Sequence, residues 1–377
     1  MDENSNDKRL KVLLVSPYSE KKVGGIGTWS KSVLDNYDTA KYQIVFQNTA
    51  NLIKSNIQGG LFRRLFMGAW DSITILVKLF FNLLFKRPSV VHYTSSASIA
   101  LYKDSIALFI TKNIFHKRFI IHWHFGRIPD ICQARDGEYK RLMKIIKKAD
   151  ISIVLDRKSL LALQENGVSN VVAIPNPIST AIYDATKSLN IEEVFKNREE
   201  KTVLFVGHIV NTKGVLELVR ACVSSKIVER LVLVGPVLID FKSVIQGEAN
   251  KKGDGTWLEF KGELQREEVY DYYKKCSVFC LPSYTEGFPY VILEAMAFSC
   301  PIIATDVGAI AEMLGNESGV IIEPRSEQAL SIALLNVLSD KEKCHTMGEN
   351  AYARVMSTYT NVVIFEQYYR AWREVWD

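Results

Sequence analysis

The chain has 377 residues, of which 47% are hydrophobic and 24% charged, and its formal net charge is +5. This composition excludes a disordered chain, and the length favours two domains over one. The charge is divided unevenly: residues 1–185 carry 26 Lys and Arg against 15 Asp and Glu, whereas residues 186–377 carry 21 against 27. Every strongly apolar stretch of about 18 residues is interrupted by a charge, so a simple membrane span is not expected. Neither a signal peptide nor a disulfide framework is expected, which favours a cytoplasmic protein.

Short β-branched segments alternate with longer amphipathic segments along the chain, which predicts alternating strands and helices. Near-continuous apolar runs of this kind are typical of strands buried on both faces of a parallel sheet. The first series of predicted strands is 11–16, 42–47, 90–95, 119–125, 151–156 and 171–175. A polar stretch without a strand follows at 179–201. The second series is 202–207, 230–235, 257–261, 277–281, 301–305 and 319–322.

After residue 326 the strands end, and helices are predicted at 329–338, 341–358 and 361–376. The predicted fold class is therefore α/β, with two Rossmann-like doubly wound domains, 1–185 and 186–360, facing each other across a cleft. The last helix, 361–377, is expected to pack back on the N-terminal domain. Ligands of open α/β sheets bind outside the carboxyl ends of the strands, so the site is expected in the loops that follow strands.

The loop after the first strand contains Gly24 and Gly25 at the start of a predicted helix. Glycines let backbone N–H groups approach an anion at a helix N-terminus, so a phosphate or sugar contact is predicted here, with a plain loop as the alternative. The spacing is not that of a dinucleotide-binding turn, and the second strand is not followed by an acid that could hold a ribose. A nicotinamide-dependent enzyme is therefore disfavoured.

The fourth predicted strand ends in two alternating histidines, His122 and His124, which should point to the same face of the sheet. His124 is the nearer of the two to the carboxyl end of the strand, so it is predicted to present a polar group to the cleft. The alternatives are a buried, hydrogen-bonded histidine and a metal pair, for which no third ligand is recognisable.

The second domain opens with a strand that leads into Gly207, His208 and then Lys213 at the head of a helix. Backbone donors, a helix N-terminus and a cation together predict a clamp for a pyrophosphate, and a solvated surface loop is the alternative. The spacing does not match a P-loop, so a phosphate-cleaving enzyme of that class is not expected.

The most specific pattern is the segment that contains Glu286, Gly287 and Phe288 and reaches Glu294 on the following helix. Gly287 allows close approach of the backbone, and the two carboxylates can accept paired hydrogen bonds from the hydroxyls of a sugar and a ribose. Acidic residues that complement the helix dipole are the alternative, but this explains Glu286 and not Glu294.

These loops, in this order, resemble those of the retaining glycosyltransferases of family 4, which have the GT-B fold. The resemblance covers nearly the whole chain, and its most specific element is the pair of glutamates, separated by seven intervening residues, around Glu-Gly-Phe-Pro. It implies that Glu294 binds the ribose of a nucleotide sugar and that Glu286, with the backbone of Gly287 and Phe288, holds the donor sugar.

The same resemblance implies that Lys213 neutralises the diphosphate and that His124 lines the reaction centre, which makes His124, Lys213 and Glu286 the predicted catalytic residues. Gly24 and Gly25 would close over the phosphates or the acceptor, and Gly207 and His208 would complete the donor site. The family usually has arginine at the position of His208, so phosphate stabilisation is expected to depend more on Lys213. No metal and no cofactor are expected, because the sequence has no Asp-x-Asp run and the nucleotide sugar is a substrate.

The predicted function is retaining transfer from a nucleotide diphosphate sugar, most simply a UDP-sugar, to a saccharide or lipid-linked saccharide in polysaccharide or glycoconjugate synthesis. The alternatives are a nucleotide-sugar 2-epimerase of the same fold and a non-enzymatic sugar- or membrane-binding adaptor. Nucleic acid is not an expected partner. The predicted location is the cytoplasm, with peripheral attachment to the inner face of the membrane as an extension.

That extension depends on the apolar helix predicted at 61–85, which has Arg63 and Arg64 near its start and Lys86 and Arg87 after its end. A second set of cations follows at helical spacing, at Lys140, Arg141, Lys144, Lys147 and Lys148. Basic residues beside exposed apolar ones are typical of a peripheral membrane protein. The competing explanation is that a crossover helix is apolar because one of its faces packs on the sheet.

Overall fold

The computed structural model describes residues 9–19, 24–50, 61–315 and 317–376, with the backbone alone described for 61–67. The chain divides into two compact units. The first consists of Met1–Pro177 together with Asn361–Asp377, and the second is Ile178–Thr360. Each unit is built around its own parallel sheet of six strands.

The first sheet has the strand order β2-β1-β3-β4-β5-β6, and all of its pairings are parallel. Its strands are β1 (Leu10–Ser16), β2 (Tyr42–Asn48), β3 (Val90–Ser95), β4 (Arg118–Trp123), β5 (Ile151–Val154) and β6 (Val171–Ala173). The helices of this unit are α1 (Gly25–Asn36), α2 (Leu61–Lys86), α3 (Ala100–Phe109) with a π-helical turn at Ile110–Ile114, α4 (Ile128–Ala134), α5 (Gly137–Ile146), α6 (Arg157–Glu165) and α16 (Asn361–Trp376). The central strands β3, β4 and β5 are almost entirely buried, as their apolar runs predict.

The second sheet has the order β12-β11-β10-β7-β8-β9 and is also parallel throughout. Its strands are β7 (Thr202–Val206), β8 (Arg230–Val234), β9 (Leu258–Gly262), β10 (Val278–Leu281), β11 (Ile302–Thr305) and β12 (Val320–Ile322). The helices are α7 (Thr180–Thr186), α8 (Ile191–Lys196), a 3-10 turn at Asn211–Lys213, α9 (Val215–Ser225), α10 (Ile239–Ala249), α11 (Arg266–Lys275), α12 (Tyr290–Ala297), α13 (Ile310–Leu314), α14 (Glu327–Leu338) and α15 (Lys341–Thr358).

The two-domain α/β fold predicted from the sequence is confirmed, and each of the twelve predicted strand segments contains a strand. The differences lie at strand ends. The prediction for β5 extended to residue 156, but the strand ends at Val154 because the Asp156 carboxylate accepts hydrogen bonds from the backbone and the hydroxyl of Ser159 and caps α6. The strand β4 likewise ends at Trp123, two residues before the predicted end.

The first of the two segments that form the first unit ends at Pro177, whereas the sequence analysis predicted the domain boundary at residue 185. The difference arises because α7 packs against α12 and so belongs to the second unit. The helix α16 lies in the first unit and packs on α1 and β3. Its Tyr369 ring stacks on Tyr42 of β2 with the ring centroids 4.4 Å apart. Aromatic packing thus fixes the end of the chain to the first sheet.

Candidate active site

The second sheet has its topological switch between β7 and β10. From β7 the chain continues to β8 and β9 on one side, while β10, β11 and β12 lie on the other. The loops after two such strands diverge and leave a crevice at the carboxyl edge of the sheet, where ligands of α/β proteins bind. The predicted residues Gly207, His208 and Lys213 lie in the loop after β7, and Glu286, Gly287 and Phe288 lie in the loop after β10.

The loop after β7 is held by two glycine positions that admit no side chain. Gly214 has φ of +66°, and a Cβ there would lie 2.0 Å from the carbonyl oxygen of Pro282. Gly235 has φ of +135°, and a Cβ there would lie 2.0 Å from the carbonyl oxygen of Gly207. The first approach brings the β7 loop against the end of β10, and the second brings it against the turn after β8. His208, in the β7 loop, is exposed.

The two loops are joined by an ion pair between two predicted catalytic residues. Lys213 Nζ lies 2.5 Å from Glu286 Oε1. The hydroxyl of Ser283 donates to the same carboxylate oxygen at 2.7 Å. The side chains of Lys213 and Glu286 keep 27% and 11% of their surface exposed, so both can be reached by a ligand. The ion pair places a cation and a hydroxyl-binding carboxylate together at the switch point.

The backbone of the β10–α12 loop is held in place by contacts with the turn after β11. Gly308 has φ of +56°, and a Cβ there would lie 2.4 Å from the carbonyl oxygen of Glu286. The backbone N–H of Ala309 donates to the carbonyl of Gly287 at 2.9 Å. Phe288 is buried and contacts the ring of Tyr359. Its side chain therefore anchors the loop, and only its backbone is available to a ligand.

Glu294 lies in the second half of α12, and its carboxylate Oε2 accepts a hydrogen bond from the hydroxyl of Tyr273 at 3.0 Å. Burial raises the pKa of Glu294, while the hydrogen bond from Tyr273 and the charge of Arg266 act to lower it. A half-buried carboxylate with an unused oxygen can accept hydrogen bonds from a diol such as ribose. Tyr273 and Ser283, which orient the two glutamates, were not predicted from the sequence.

In the first unit, Gly24 is the N-cap residue of α1 and the helix begins at Gly25, as expected. Both glycines are exposed, and a Cβ at Gly24 would meet no atom within 4 Å. The first turn of α1 contains no acidic residue, so its backbone donors are compatible with an anion. Trp29 on the same helix is fully buried, and its ring lies 5.0 Å from the ring of His124.

His124 belongs to a cluster of three histidines, of which His92 lies in the middle of β3 and the other two lie at the carboxyl end of β4. The rings of His122 and His124 lie 4.0 Å apart, on one face of the sheet as predicted. His92 on β3 contacts His122, with 3.3 Å between His92 Nε2 and His122 Nδ1. Trp372 of α16 donates its indole N–H to His92 Nδ1 at 2.9 Å. The cluster therefore joins the end of the chain to a predicted site residue.

The hydrogen-bond chain determines which nitrogen carries a proton in His92 and in His122. An indole N–H can only donate, so Nδ1 of His92 accepts and its proton is on Nε2. That proton faces Nδ1 of His122, which leaves the His122 proton on Nε2. Nε2 of His122 and Nε2 of His124 are buried, and neither has a hydrogen-bond partner among the residues that the structure describes. Each is thus available to a polar group that reaches this edge of the sheet.

All three histidines are held neutral by burial. Burial lowers the pKa of His92 and of His124 to about 3, and it lowers the pKa of His122 well below its ordinary value. His92, Trp29 and Trp372 were not predicted from the sequence. The available signal was that His92 and His122 lie within consecutive predicted strands, which pair in a parallel sheet.

Comparison with known proteins identifies the second unit more specifically than the first. Residues 186–354 match the sequence model of the family described as "Glycosyl transferases group 1". This region contains both loops at the switch point together with Glu294. The match covers less than half of the chain, and the first unit lies outside it.

Curated relatives carry corresponding names. TuaC of Bacillus subtilis (strain 168), a glycosyltransferase assigned by name to teichuronic acid biosynthesis, is 26% identical over 245 residues, which is 64% of this chain and 60% of that protein. CapM of Staphylococcus aureus, named as a capsular polysaccharide biosynthesis glycosyltransferase, is 27% identical over 43% of both chains. The chain thus spans 43–60% of the length of these two relatives.

Solved structures match over nearly the whole chain. Sucrose-phosphate synthase from Thermosynechococcus elongatus aligns with a TM-score of 0.73 at 20% identity, over 97% of this chain and 99% of that one. HepE from Anabaena, solved in complex with UDP, aligns with a TM-score of 0.72 at 16% identity, over 97% and 100%. At these identities the matches show the fold, which is GT-B. The second unit is thus similar in sequence to the group 1 glycosyl transferases.

Proposed function

We propose that this protein is a retaining glycosyltransferase of family 4 that transfers a sugar from a UDP-sugar to a saccharide or lipid-linked saccharide acceptor. The observation that carries the proposal is the ion pair between Lys213 and Glu286 at the switch point of the second sheet. It lies within the region that matches the group 1 glycosyl transferases. The UDP bound in the structure of HepE supports the choice of base.

Each of the site residues described in the second unit has a role in this proposal. Glu294, oriented by Tyr273, accepts hydrogen bonds from the ribose hydroxyls. Glu286 accepts hydrogen bonds from hydroxyls of the donor sugar while Ser283 holds its carboxylate in place. Lys213 moves from Glu286 to the diphosphate and stabilises the charge that develops as the anomeric C–O bond breaks. Preorganised charge of this kind is usually the largest contribution to catalysis.

In the proposed step the bond between the anomeric carbon and the diphosphate oxygen breaks, and the acceptor hydroxyl forms the new bond on the same face of the sugar. The acceptor proton passes to the departing phosphate, so no protein nucleophile is needed. His208, which is exposed in the β7 loop, supplies a further hydrogen-bond donor for the phosphates. The resemblance to family 4 glycosyltransferases is the basis for two further assignments: His124 to the donor sugar, and the N-terminus of α1 at Gly24 and Gly25 to the phosphates or the acceptor.

The reaction is proposed to need no metal ion. Among the described residues, Glu192, His345 and Glu349 are the one group of three metal-ligand side chains that lie close together. They belong to α8 and α15 and not to the loops at the switch point. The cation that faces the diphosphate is therefore proposed to be Lys213. Activity that persists in excess EDTA would agree with this, and activity restored only by added Mg²⁺ or Mn²⁺ would contradict it.

The proposed acceptor is a growing cell-surface polysaccharide or glycoconjugate. The names of TuaC and CapM, which refer to teichuronic acid and to capsular polysaccharide, support this class. The proposed location is the cytoplasm, at the inner face of the cell membrane when the acceptor is linked to a lipid.

The first experiment is calorimetric titration of the purified protein with UDP, GDP and ADP, followed by a thermal-shift panel of the corresponding sugars. We expect UDP and one UDP-sugar to bind. At about 30 times its dissociation constant, a ligand raises the free energy of unfolding by about 2 kcal/mol. Binding of GDP or ADP in preference to UDP would overturn the choice of base.

Product analysis separates transfer from the alternatives. An epimerase would convert UDP-GlcNAc without any acceptor, whereas a transferase should only hydrolyse the donor slowly until an acceptor is added. Proton NMR of the product gives the anomeric configuration, and inversion would contradict a retaining mechanism. Absence of both donor binding and donor hydrolysis would favour a non-enzymatic adaptor.

A further inference from the structure

The helix α2 is apolar on more than the face it packs against the sheet. Leu79 and Leu83 are fully buried and belong to the hydrophobic core of the first unit. In contrast, Trp70 keeps 58% and Phe85 keeps 71% of their surface exposed. The segment Gly68–Lys86 is long and apolar enough to cross a membrane, yet only 11% of it is buried. Packing on the sheet therefore explains Leu79 and Leu83 and leaves most of the apolar surface of α2 without a partner.

Six exposed apolar side chains of α2 form a stripe at spacings of three and four residues. They are Trp70, Ile73, Val77, Phe81, Leu84 and Phe85. The neighbouring helix α3 and the π-helical turn after it continue the apolar surface with Tyr102, Ile106, Phe109 and Ile114. The helices α2 and α3 pack side by side, and the rings of Phe80 and Phe115 meet with centroids 5.0 Å apart. We call these ten exposed side chains the apolar patch.

The surroundings of the apolar patch are basic. From Leu61 to Arg118 the sequence has nine Lys and Arg but only two acidic residues, Asp71 and Asp104, and Asp104 is fully buried. The helix α5 packs beside α3, and the guanidinium of Arg141 lies 4.7 Å from the centre of the Tyr102 ring. The exposed lysines of this region are Lys140, Lys144, Lys147 and Lys148.

We propose that the apolar patch docks on an anionic lipid bilayer, with α2 lying in the plane of the interface and the lysines of α5 facing lipid headgroups. Contiguous apolar surface of this extent marks an interaction site in a folded protein. A helix with apolar residues on its outer face and cations around it binds at the boundary between headgroups and acyl chains. This inference does not depend on the chemistry proposed for the switch point.

Two other occupants fit the observations less well. A second copy of the chain, packed patch to patch, would bring the cations around one apolar patch against the same cations of the other, since a twofold interface is self-complementary. A membrane-spanning α2 would have to withdraw Leu79 and Leu83 from the core of the first unit. Docking in the plane of the interface keeps both residues where they pack and pairs the cations with anionic lipid.

The test is co-sedimentation of the full chain with vesicles of phosphatidylcholine alone and of phosphatidylcholine with 30% phosphatidylglycerol. We expect binding to the anionic vesicles that weakens with salt. The triple variant Trp70→Ser, Phe81→Ser, Phe85→Ser should lose at least 90% of that binding. Its matched control replaces three exposed apolar residues of the second unit, Leu238→Ser, Ile239→Ser and Val244→Ser, and should bind like the wild type.

The contribution of the lysines to membrane binding is tested with two charge-reversal variants that have the same net charge. Lys140→Glu, Lys144→Glu and Lys147→Glu together should weaken binding about 100-fold or more, since each cation near an anionic surface contributes about fivefold. The control, Lys196→Glu, Lys275→Glu and Lys343→Glu, reverses three exposed charges of the second unit and should weaken binding far less.

Insertion is tested directly by quenching of tryptophan fluorescence with brominated lipid. Quenching should be present in the wild type and strongly reduced in Trp70→Phe. Failure of the wild type to bind anionic vesicles, equal losses in variants and controls, or absence of quenching would overturn the proposal. A dimer that the Trp70, Phe81 and Phe85 triple variant dissociates would assign the patch to a second copy instead. Titration of the same samples with UDP reports on the switch point separately.

Discussion

Acidification should destabilise the first unit because its three clustered histidines cannot take up protons while they are buried. Burial lowers the pKa of His92 and of His124 to about 3 and that of His122 well below its usual value. In the unfolded chain the same side chains titrate at about 6.5. The unfolded state therefore binds more protons, and the stability present above pH 6.5 is lost as the pH falls below that value.

The size of the effect follows from linkage. Between pH 7.5 and pH 5 each such histidine lowers the free energy of unfolding by about 2 kcal/mol, so three lower it by about 6 kcal/mol. Asp104 acts in the opposite direction, because burial raises its pKa to about 6 and the folded state then takes up a proton first. Asp104 offsets about 1 kcal/mol, and Asp156, whose pKa burial also raises, acts in the same direction, so the net loss is at most about 5 kcal/mol. That is comparable with the whole stability of many domains.

The assay is urea unfolding at pH 7.5 and at pH 5, followed by tryptophan fluorescence. Five of the six tryptophans lie in the first unit, so the signal reports mainly on it. His92→Gln and His122→Gln should each reduce the loss between the two pH values by about 2 kcal/mol. General destabilisation by either substitution cancels in that difference. His116→Gln, at an exposed position, is the control. A wild-type loss below about 1 kcal/mol, or an undiminished loss in both variants, would refute the reasoning.

Three further predictions concern the second unit. Lys213→Ala should lower kcat about 100-fold with a smaller change in the donor KM, since charge on the leaving group grows only as the bond breaks; a kcat within threefold of the wild type would exclude the role. Glu294→Gln should weaken UDP binding at least tenfold by calorimetry. The variant should nevertheless unfold at the same or a higher temperature at pH 8, because burial raises the pKa of this carboxyl and makes its charged form costly. A lower Tm would contradict the expected direction of the change in stability. His208→Arg, at an exposed position, should leave steady-state activity equal or higher, and a tenfold loss would show that the histidine has a specific function.

The strands could be predicted from the sequence because buried parallel strands are continuous apolar runs, and this signal is local. The ion pair between Lys213 and Glu286 could not be predicted as a contact, since it exists only because β10 pairs with β7, from which two other strands separate it along the chain. The contact between Trp372 and His92 joins residues 280 positions apart. Strand order and the return of α16 decide these contacts, and neither is a local property of the sequence.

The orientation of α2 escaped prediction for a different reason. A helix that is apolar on one face reveals which face is buried, because its apolar residues repeat every three or four positions. Here Leu79 and Leu83 are buried while Val77, Phe81 and Phe85 are exposed, so both faces are apolar. The periodicity then carries no information about which side meets the sheet. The structure was needed to show that the larger apolar face of α2 is the exposed one.

The ion pair between Lys213 and Glu286 leads to a last prediction, in which a donor-site substitution tightens the binding of one ligand. In the free protein Glu286 competes for the cation that the diphosphate requires. Glu286→Gln keeps an acceptor for the hydroxyl of Ser283 but frees Lys213. UDP, which has no sugar for Glu286 to bind, should therefore bind more tightly to the variant.

The gain should be modest, because Lys213 is partly exposed and a pair of this kind contributes about 1 kcal/mol, which corresponds to about fivefold in affinity. The intact UDP-sugar should bind more weakly to the same variant, since it loses the acceptor of its sugar hydroxyls. Calorimetry with UDP and with the best UDP-sugar gives both constants, and Thr285→Ala, an exposed position in the same loop, is the control. If Glu286→Gln weakened the binding of UDP as much as that of the UDP-sugar, Glu286 would have to contact the nucleotide. The proposal that Lys213 exchanges Glu286 for the diphosphate would then be wrong.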